Sequence, residues 1–186
     1  MFQIVSVLVI ILGLTVIIPM IENRLKDKNA GFILWAVFVA YCLGNLYFTV
    51  LSRKPGITQQ FELIPFNIYG RLFEELSEEE ITGTGFAAKF LYGAPPVVGL
   101  ILNILLYYPL GYLLPILFPK LKPKHVILIG CLCSIATEAI QYILKMGWCE
   151  TDDVIHNTLG TAIGAWVWHL QSKRLSKPKS NEPPKH

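Results

Sequence analysis

Apolar runs long enough to cross a membrane, with at most one charged residue each, are the feature that most constrains this chain. Five stretches qualify, and a membrane-spanning α-helix needs roughly 20 such residues. They cover residues 1–21, 31–51, 93–118, 125–144 and 153–170. Only 16% of the chain is charged, against about 25% in a soluble domain. The pattern predicts an all-α, polytopic membrane helix bundle of about five transmembrane helices, and it excludes a disordered chain.

The distribution of Lys and Arg predicts the orientation of these spans, because basic residues concentrate on the cytoplasmic side of membrane proteins. The segments after the first and third spans and at the C-terminus hold eleven of the sixteen Lys and Arg residues. We therefore expect a multi-pass protein of the cell membrane with its N-terminus outside and its C-terminus in the cytoplasm. Residues 173–186 are predicted to form a basic, disordered cytoplasmic tail.

The one sizeable segment outside the predicted spans is the outer loop, residues 52–92. It is too short for a core of its own, so residues 1–172 are expected to form a single transmembrane domain. An apolar and aromatic patch from Phe61 to Tyr69 is expected either to lie at the membrane interface or to re-enter the bundle. Within this patch, Asn67 is a candidate N-cap of a short helix.

A few polar side chains inside the spans are the first candidates for function, because such groups usually face a protected interior. Glu138 and Gln141 share one face of the fourth span, and Asp153 and Asn157 form a stripe along the fifth. A rise of about 1.5 Å per residue places these side chains in the outer half of the membrane and Asn103 near its middle. The set is therefore expected to converge in the outer half of the bundle.

Each of these residues also has a purely structural interpretation. Asp152 or Asp153 is suited to cap the fifth helix, and Asn157 can bond across helices as packing glue. Glu138 is harder to explain in this way, since a buried carboxylate needs a partner or a proton. The step from Gly160 to Gly164 predicts close helix packing.

Four blocks of the sequence together resemble the VanZ-like family of bacterial integral membrane proteins. They are residues 61–67 (FELIPFN), 103–111 (NILLYYPLG), 134–141 (SIATEAIQ) and 152–164 (DDVIHNTLGTAIG). The resemblance implies a role in the bacterial cell envelope at the outer leaflet, because the family takes its name from a protein that gives low-level teicoplanin resistance. Family members often carry an Arg shortly before the acidic pair.

The segment 146–151 (MGWCET) lacks that Arg. An ion pair formed by this Arg in other family members therefore cannot be assigned to this segment. Arg53 and Arg71 are candidates to replace it, since both are predicted on the outer side.

Three functions remain open at this stage. In the first, the protein binds an outer-leaflet lipid or the headgroup of a lipid-linked wall precursor and so contributes to glycopeptide resistance. The expected ligand-binding residues are Arg53, Arg71, Asn103, Gln141, Asp152 and Asn157. In the second, a membrane-embedded enzyme modifies such a lipid, with Glu138 and Asp153 as catalytic acid and base or as metal ligands. In the third, the bundle is structural or transports a solute.

The sequence says less about cofactors and partners than about the fold. No cofactor is expected, although the paired acids leave a divalent cation possible. With a net charge of +3 and no concentrated basic face, no nucleic-acid partner is expected. The expected partners are the lipid bilayer and the outer-leaflet lipid, and the oligomeric state is left open.

Overall fold

A computed structural model describes most of the region between the second predicted span and the start of the tail. The described residues are 28–53, 55–56, 60–70, 73, 95–146 and 148–175. The predicted first span, Arg71, the acidic part of the outer loop and the tail beyond residue 175 lie outside them.

Four long helices, two short strands and a helical turn at residues 67–70 account for most of the described chain. The turn lies where the sequence predicts a short helix and begins at Asn67. Helix α1 covers Lys28–Leu46 and continues into a π-helical turn, Tyr47–Leu51. Helices α2 and α3 cover Pro95–Leu117 and Pro123–Ile143. Helix α4 covers Thr151–Leu175. The strands are β1, Gln60–Glu62, and β2, Trp148–Glu150.

The helices confirm the predicted fold class, an all-α membrane bundle. Within the described residues, three helical segments are long and apolar enough to cross a membrane: Gly31–Leu51, Val98–Leu117 and Pro123–Ile143. They match the second, third and fourth predicted spans to within a few residues. Helix α4 occupies the place of the fifth but is more polar, and it is not among these three. It continues to Leu175, so the first three residues of the predicted tail are helical.

Helix α3 buries its polar face and exposes its apolar one, which is the reverse of a helix in a soluble protein. Ser134 and Glu138 are 0% and 4% exposed, whereas Leu132 and Ile143 are 56% and 71% exposed. An exposed apolar surface of this kind suits contact with lipid, and polar groups then gather inside the bundle.

Helices α2 and α4 form the closest helix pair, and glycines make the approach possible. A Cβ at Gly160 would overlap the carbonyl group of Ile104, and a Cβ at Gly164 would overlap that of Tyr108. From the other side, a Cβ at Gly111 would overlap backbone atoms of α4. The predicted close packing through Gly160 and Gly164 is confirmed.

The start of the outer loop folds back over one end of this bundle. The N–H of Gly56 donates to the carbonyl of Lys145 over 3.0 Å. Further along, β1 pairs in parallel with β2, with Phe61 opposite Cys149. The described part of the aromatic patch therefore lies against the connection between α3 and α4, and it leaves Phe66 58% exposed.

Candidate functional site: a buried polar centre

Five polar side chains from three helices meet beneath the strand pair, and we call them the polar centre. Helix α2 contributes one of them, α3 two and α4 two. They are Asn103, Ser134, Glu138, Asp153 and Asn157.

Within the polar centre, a short hydrogen bond from Asn103 to Asp153 links α2 to α4. The amide nitrogen Nδ2 of Asn103 donates to Oδ1 of Asp153 over 2.6 Å. Asp153 lies in the first turn of α4, where the helix dipole favours a carboxylate. The bond therefore places Asn103 at the level of the first turn of α4, nearer that end of the bundle than the middle position expected from helix rise.

Glu138 presents its carboxylate from α3 to the connection that follows the same helix. Oε2 of Glu138 accepts the backbone N–H of Glu150 over 3.2 Å. The Glu138 carboxyl also interacts electrostatically with Asp153 and with the guanidinium of Arg53. Asp153 also interacts electrostatically with Arg53. The two carboxyl groups and this guanidinium therefore influence one another's charge.

The deeper side of the polar centre is held by amide and hydroxyl groups. Nδ2 of Asn157 donates to Oγ of Ser134 over 2.8 Å. The Thr161 hydroxyl, one turn further along α4, donates to the carbonyl of Asn157 over 3.1 Å. This arrangement matches the cross-helix packing role considered for Asn157.

Two buried acceptor oxygens near the centre have no partner among the described residues. They are Oδ1 of Asn157 and Oε1 of Gln141. Gln141 uses its other amide atom, Nε2, to donate to the carbonyl of Thr49 over 2.8 Å. Buried polar atoms are nearly always hydrogen-bonded, so each of these oxygens has capacity for a donor from outside the described chain.

Asp152 lies beside the polar centre but points to the outer loop. Its Oδ1 accepts the N–H of Phe66 over 2.5 Å, and its Oδ2 accepts the N–H of Ile68 over 2.9 Å. Phe66 has a φ of +67°, which L-residues rarely adopt. The carboxylate thus holds a tight turn of the loop in place, a role different from the predicted ligand contact or helix cap.

His156 forms a second link between α4 and the outer loop. Its Nε2 lies 3.1 Å from the hydroxyl of Tyr69, and the side chain is 1% exposed. Its other ring nitrogen, Nδ1, is buried and has no partner within the described part of the chain.

The predicted ligand-binding residues therefore fall into separate groups. Asn103 and Asn157 belong to the polar centre, Gln141 borders it, and Asp152 binds the loop. Arg53 is exposed at the same end, and Arg71 lies outside the described residues.

Two residues of this region were missed by the sequence reasoning. Ser134 is four residues before Glu138 and seven before Gln141, a spacing that places all three on one helix face, so a signal for it existed. The backbone N–H of Glu150 carries no such signal, because its position depends on the turn after α3.

The chemistry of the polar centre is that of a hydrogen-bond acceptor site. Glu138 and Asp153 supply two carboxylates, and the guanidinium of Arg53 interacts with both. Asn157 in the centre and Gln141 at its border each add a buried amide oxygen that has no partner within the described part of the chain. Among the described residues, no three His, Cys, Asp or Glu side chains are grouped closely enough to hold a metal ion.

Apolar, membrane-length helices packed around such a polar centre define an integral membrane protein. The VanZ/LLP1 family model matches residues 32–172, so the match includes all the residues of the polar centre. The chain belongs to this family.

Among curated proteins, the chain is similar to Protein VanZ of Enterococcus faecium. The two are 30% identical over 79 residues, which cover 41% of this chain and 48% of that protein. The chain thus spans about half the length of the curated relative that it matches. No solved structure matches.

Proposed function

We propose that the polar centre binds the headgroup of an outer-leaflet lipid or of a lipid-linked wall precursor, and that this binding contributes to glycopeptide resistance of the teicoplanin type. The observation that carries the proposal is the excess of buried acceptors in the centre, above all Oδ1 of Asn157, which has no donor among the described residues. Family membership supports the link to resistance.

A headgroup rich in donors suits these acceptors. Sugar hydroxyls and peptide N–H groups donate hydrogen bonds, and both occur in lipid-linked wall precursors. Arg53 is placed at the exposed edge of the same end, where a guanidinium can pair with a phosphate. The proposal therefore assigns the uncharged part of the headgroup to the polar centre and the phosphate to Arg53.

Substitutions at the polar centre test this function. Asn157→Ala and Glu138→Gln should each lower teicoplanin resistance in a sensitive host and reduce the amount of lipid that copurifies with the protein. Thr158→Ala is a matched control, because the Thr158 hydroxyl donates only within α4, to the carbonyl of Val154 over 2.7 Å. Unchanged resistance in both variants at normal expression would refute the proposal.

A membrane-embedded enzyme is the second candidate, and one observation favours it. The Glu138 and Asp153 carboxyls interact electrostatically, and paired carboxyls of this kind serve as acid and base in many enzymes. Incubation of the purified protein with lipid precursor, with and without a divalent cation, separates the two functions. Turnover that is lost in Asp153→Asn would favour the enzyme, and binding without turnover would favour the binding protein.

A further inference from the structure

A cavity of about 390 Å³ lies at the opposite end of the bundle from the polar centre. Its walls come from the end of α2, the α2–α3 connection and the last turns of α4, with Ile116, Leu121 and Trp168 among the apolar wall residues. Ser172 also lines it and is 19 residues after Asp153. At about 1.5 Å per residue, the cavity is roughly 28 Å from the polar centre.

The chain segments that supply the cavity walls are strongly basic, and we call their Lys and Arg residues the rim cations because they are sequence neighbours of wall residues. Residues 115–125 and 165–175 contain no Asp or Glu. They contain five formal positive charges, all on exposed side chains: Lys120, Lys122, Lys124, Lys173 and Arg174. A cavity whose wall residues are mostly apolar, with His169 and Ser172 among them and with neighbouring charges of one sign, is complementary to an anionic amphiphile.

The depth of the cavity also points to a lipid. Two membrane-length segments meet here, because Val98–Leu117 ends and Pro123–Ile143 begins on either side of the connection. The cavity therefore opens at the level of the lipid headgroups. Trp168 in its wall is typical of this interfacial layer, and basic pockets between helices at this level bind acidic lipid headgroups.

We propose that this cavity is a binding site for an anionic phospholipid, with an acyl chain against the apolar walls and the phosphate among the rim lysines. The volume falls within the range of about 300–1,000 Å³ that is usual for small-ligand sites. The site is independent of the polar centre and of the function proposed for it.

Lipid binding to the purified full chain in an uncharged detergent tests the proposal, with native mass spectrometry as the readout. Phosphatidylglycerol should bind at least tenfold more tightly than phosphatidylcholine with the same acyl chains. Replacement of three rim cations, Lys120→Gln, Lys122→Gln and Lys173→Gln together, should weaken phosphatidylglycerol binding about tenfold or more, since each cation near a headgroup contributes measurably. Lys145→Gln, which removes an exposed charge at the far end of α3, should have no effect.

Two further measurements distinguish lipid binding in the cavity from binding to the rim cations alone. Ser172→Phe places a ring in the cavity without removing a charge and should also reduce phosphatidylglycerol binding. If this variant fails to fold, the triple Lys variant still decides the question. Inorganic phosphate at millimolar concentration should not displace the lipid. Equal binding of the two lipids, full displacement by phosphate, or an equal loss in Lys145→Gln would overturn the proposal.

Discussion

At the residue scale, two adjacent carboxylates of α4 have different tasks. Asp152 accepts two backbone N–H groups of the outer loop, whereas Asp153 accepts the side chain of Asn103. The sequence predicts that both acids lie at the start of a helix. It could not separate their roles, because the partners of Asp152 come from a loop 84 residues earlier in the chain.

Removal of the Asp152 carboxylate should loosen the loop. In Asp152→Ala, the N–H groups of Phe66 and Ile68 lose a charged acceptor, and such a bond contributes about 1.5–3 kcal/mol. Amide hydrogen exchange at these two positions should therefore become roughly 10- to 100-fold faster. Asp153→Asn is the matched control, and the same acceleration there would contradict the assignment.

At the element scale, glycines decide how closely α2 and α4 approach. The spacing of Gly160 and Gly164 is visible in the sequence and predicts a tight interface. The sequence does not show which helix packs against these two glycines, because they would accommodate any neighbouring helix without protruding side chains. The structure pairs it with the α2 backbone at Ile104 and Tyr108.

A methyl group at this interface should destabilise the bundle. Gly160→Ala would force the side chain against the Ile104 carbonyl, and overpacking of this kind costs about 1–3 kcal/mol. We expect the melting temperature of the purified protein to fall by roughly 2–12 °C. Gly44→Ala is the control, because a Cβ at Gly44 meets nothing within 4 Å. Since Ala favours a helix more than Gly does, Gly44→Ala should leave the melting temperature unchanged or raise it. A fall as large as that in Gly160→Ala would contradict overlap with α2 as the cause.

At the scale of the whole molecule, the fold class and three membrane-length helices follow from the sequence because hydrophobic length alone determines them. The parallel pairing of β1 with β2 does not, since three-residue strands carry too little pattern to specify a partner. The gathering of polar side chains towards one end of the bundle was predictable from helix rise. The bond from Asn103 to Asp153 was not, because that estimate put Asn103 near the middle of its span, and neither was the bond of Glu138 with a backbone N–H.

Cysteine labelling can test the predicted orientation, with the N-terminus outside. Cys149 lies in β2, and a membrane-impermeant maleimide should label it in intact cells of a variant whose other cysteines are replaced. Burial raises the pKa of the Cys149 thiol, and the Glu138 and Asp153 carboxylates add to this rise. The thiolate is the reactive form, so labelling should be slow near pH 7 and faster at pH 8.5.

A cysteine at the other end of α3 serves as the comparison. Lys122→Cys, in a chain without the native cysteines, should be labelled only after the cells are permeabilised. Labelling of this position in intact cells, with Cys149 protected, would reverse the orientation.

The bond between Asp152 and the outer loop also has a consequence for synthesis of the protein. The turn at Phe66 and Ile68 leaves the ribosome 84 residues before its acceptor. At about 5–20 residues per second, that delay is roughly 4–17 s. During this interval the N–H groups of Phe66 and Ile68 lack their native acceptor, so we expect the turn to take its final form only after α4 has been made.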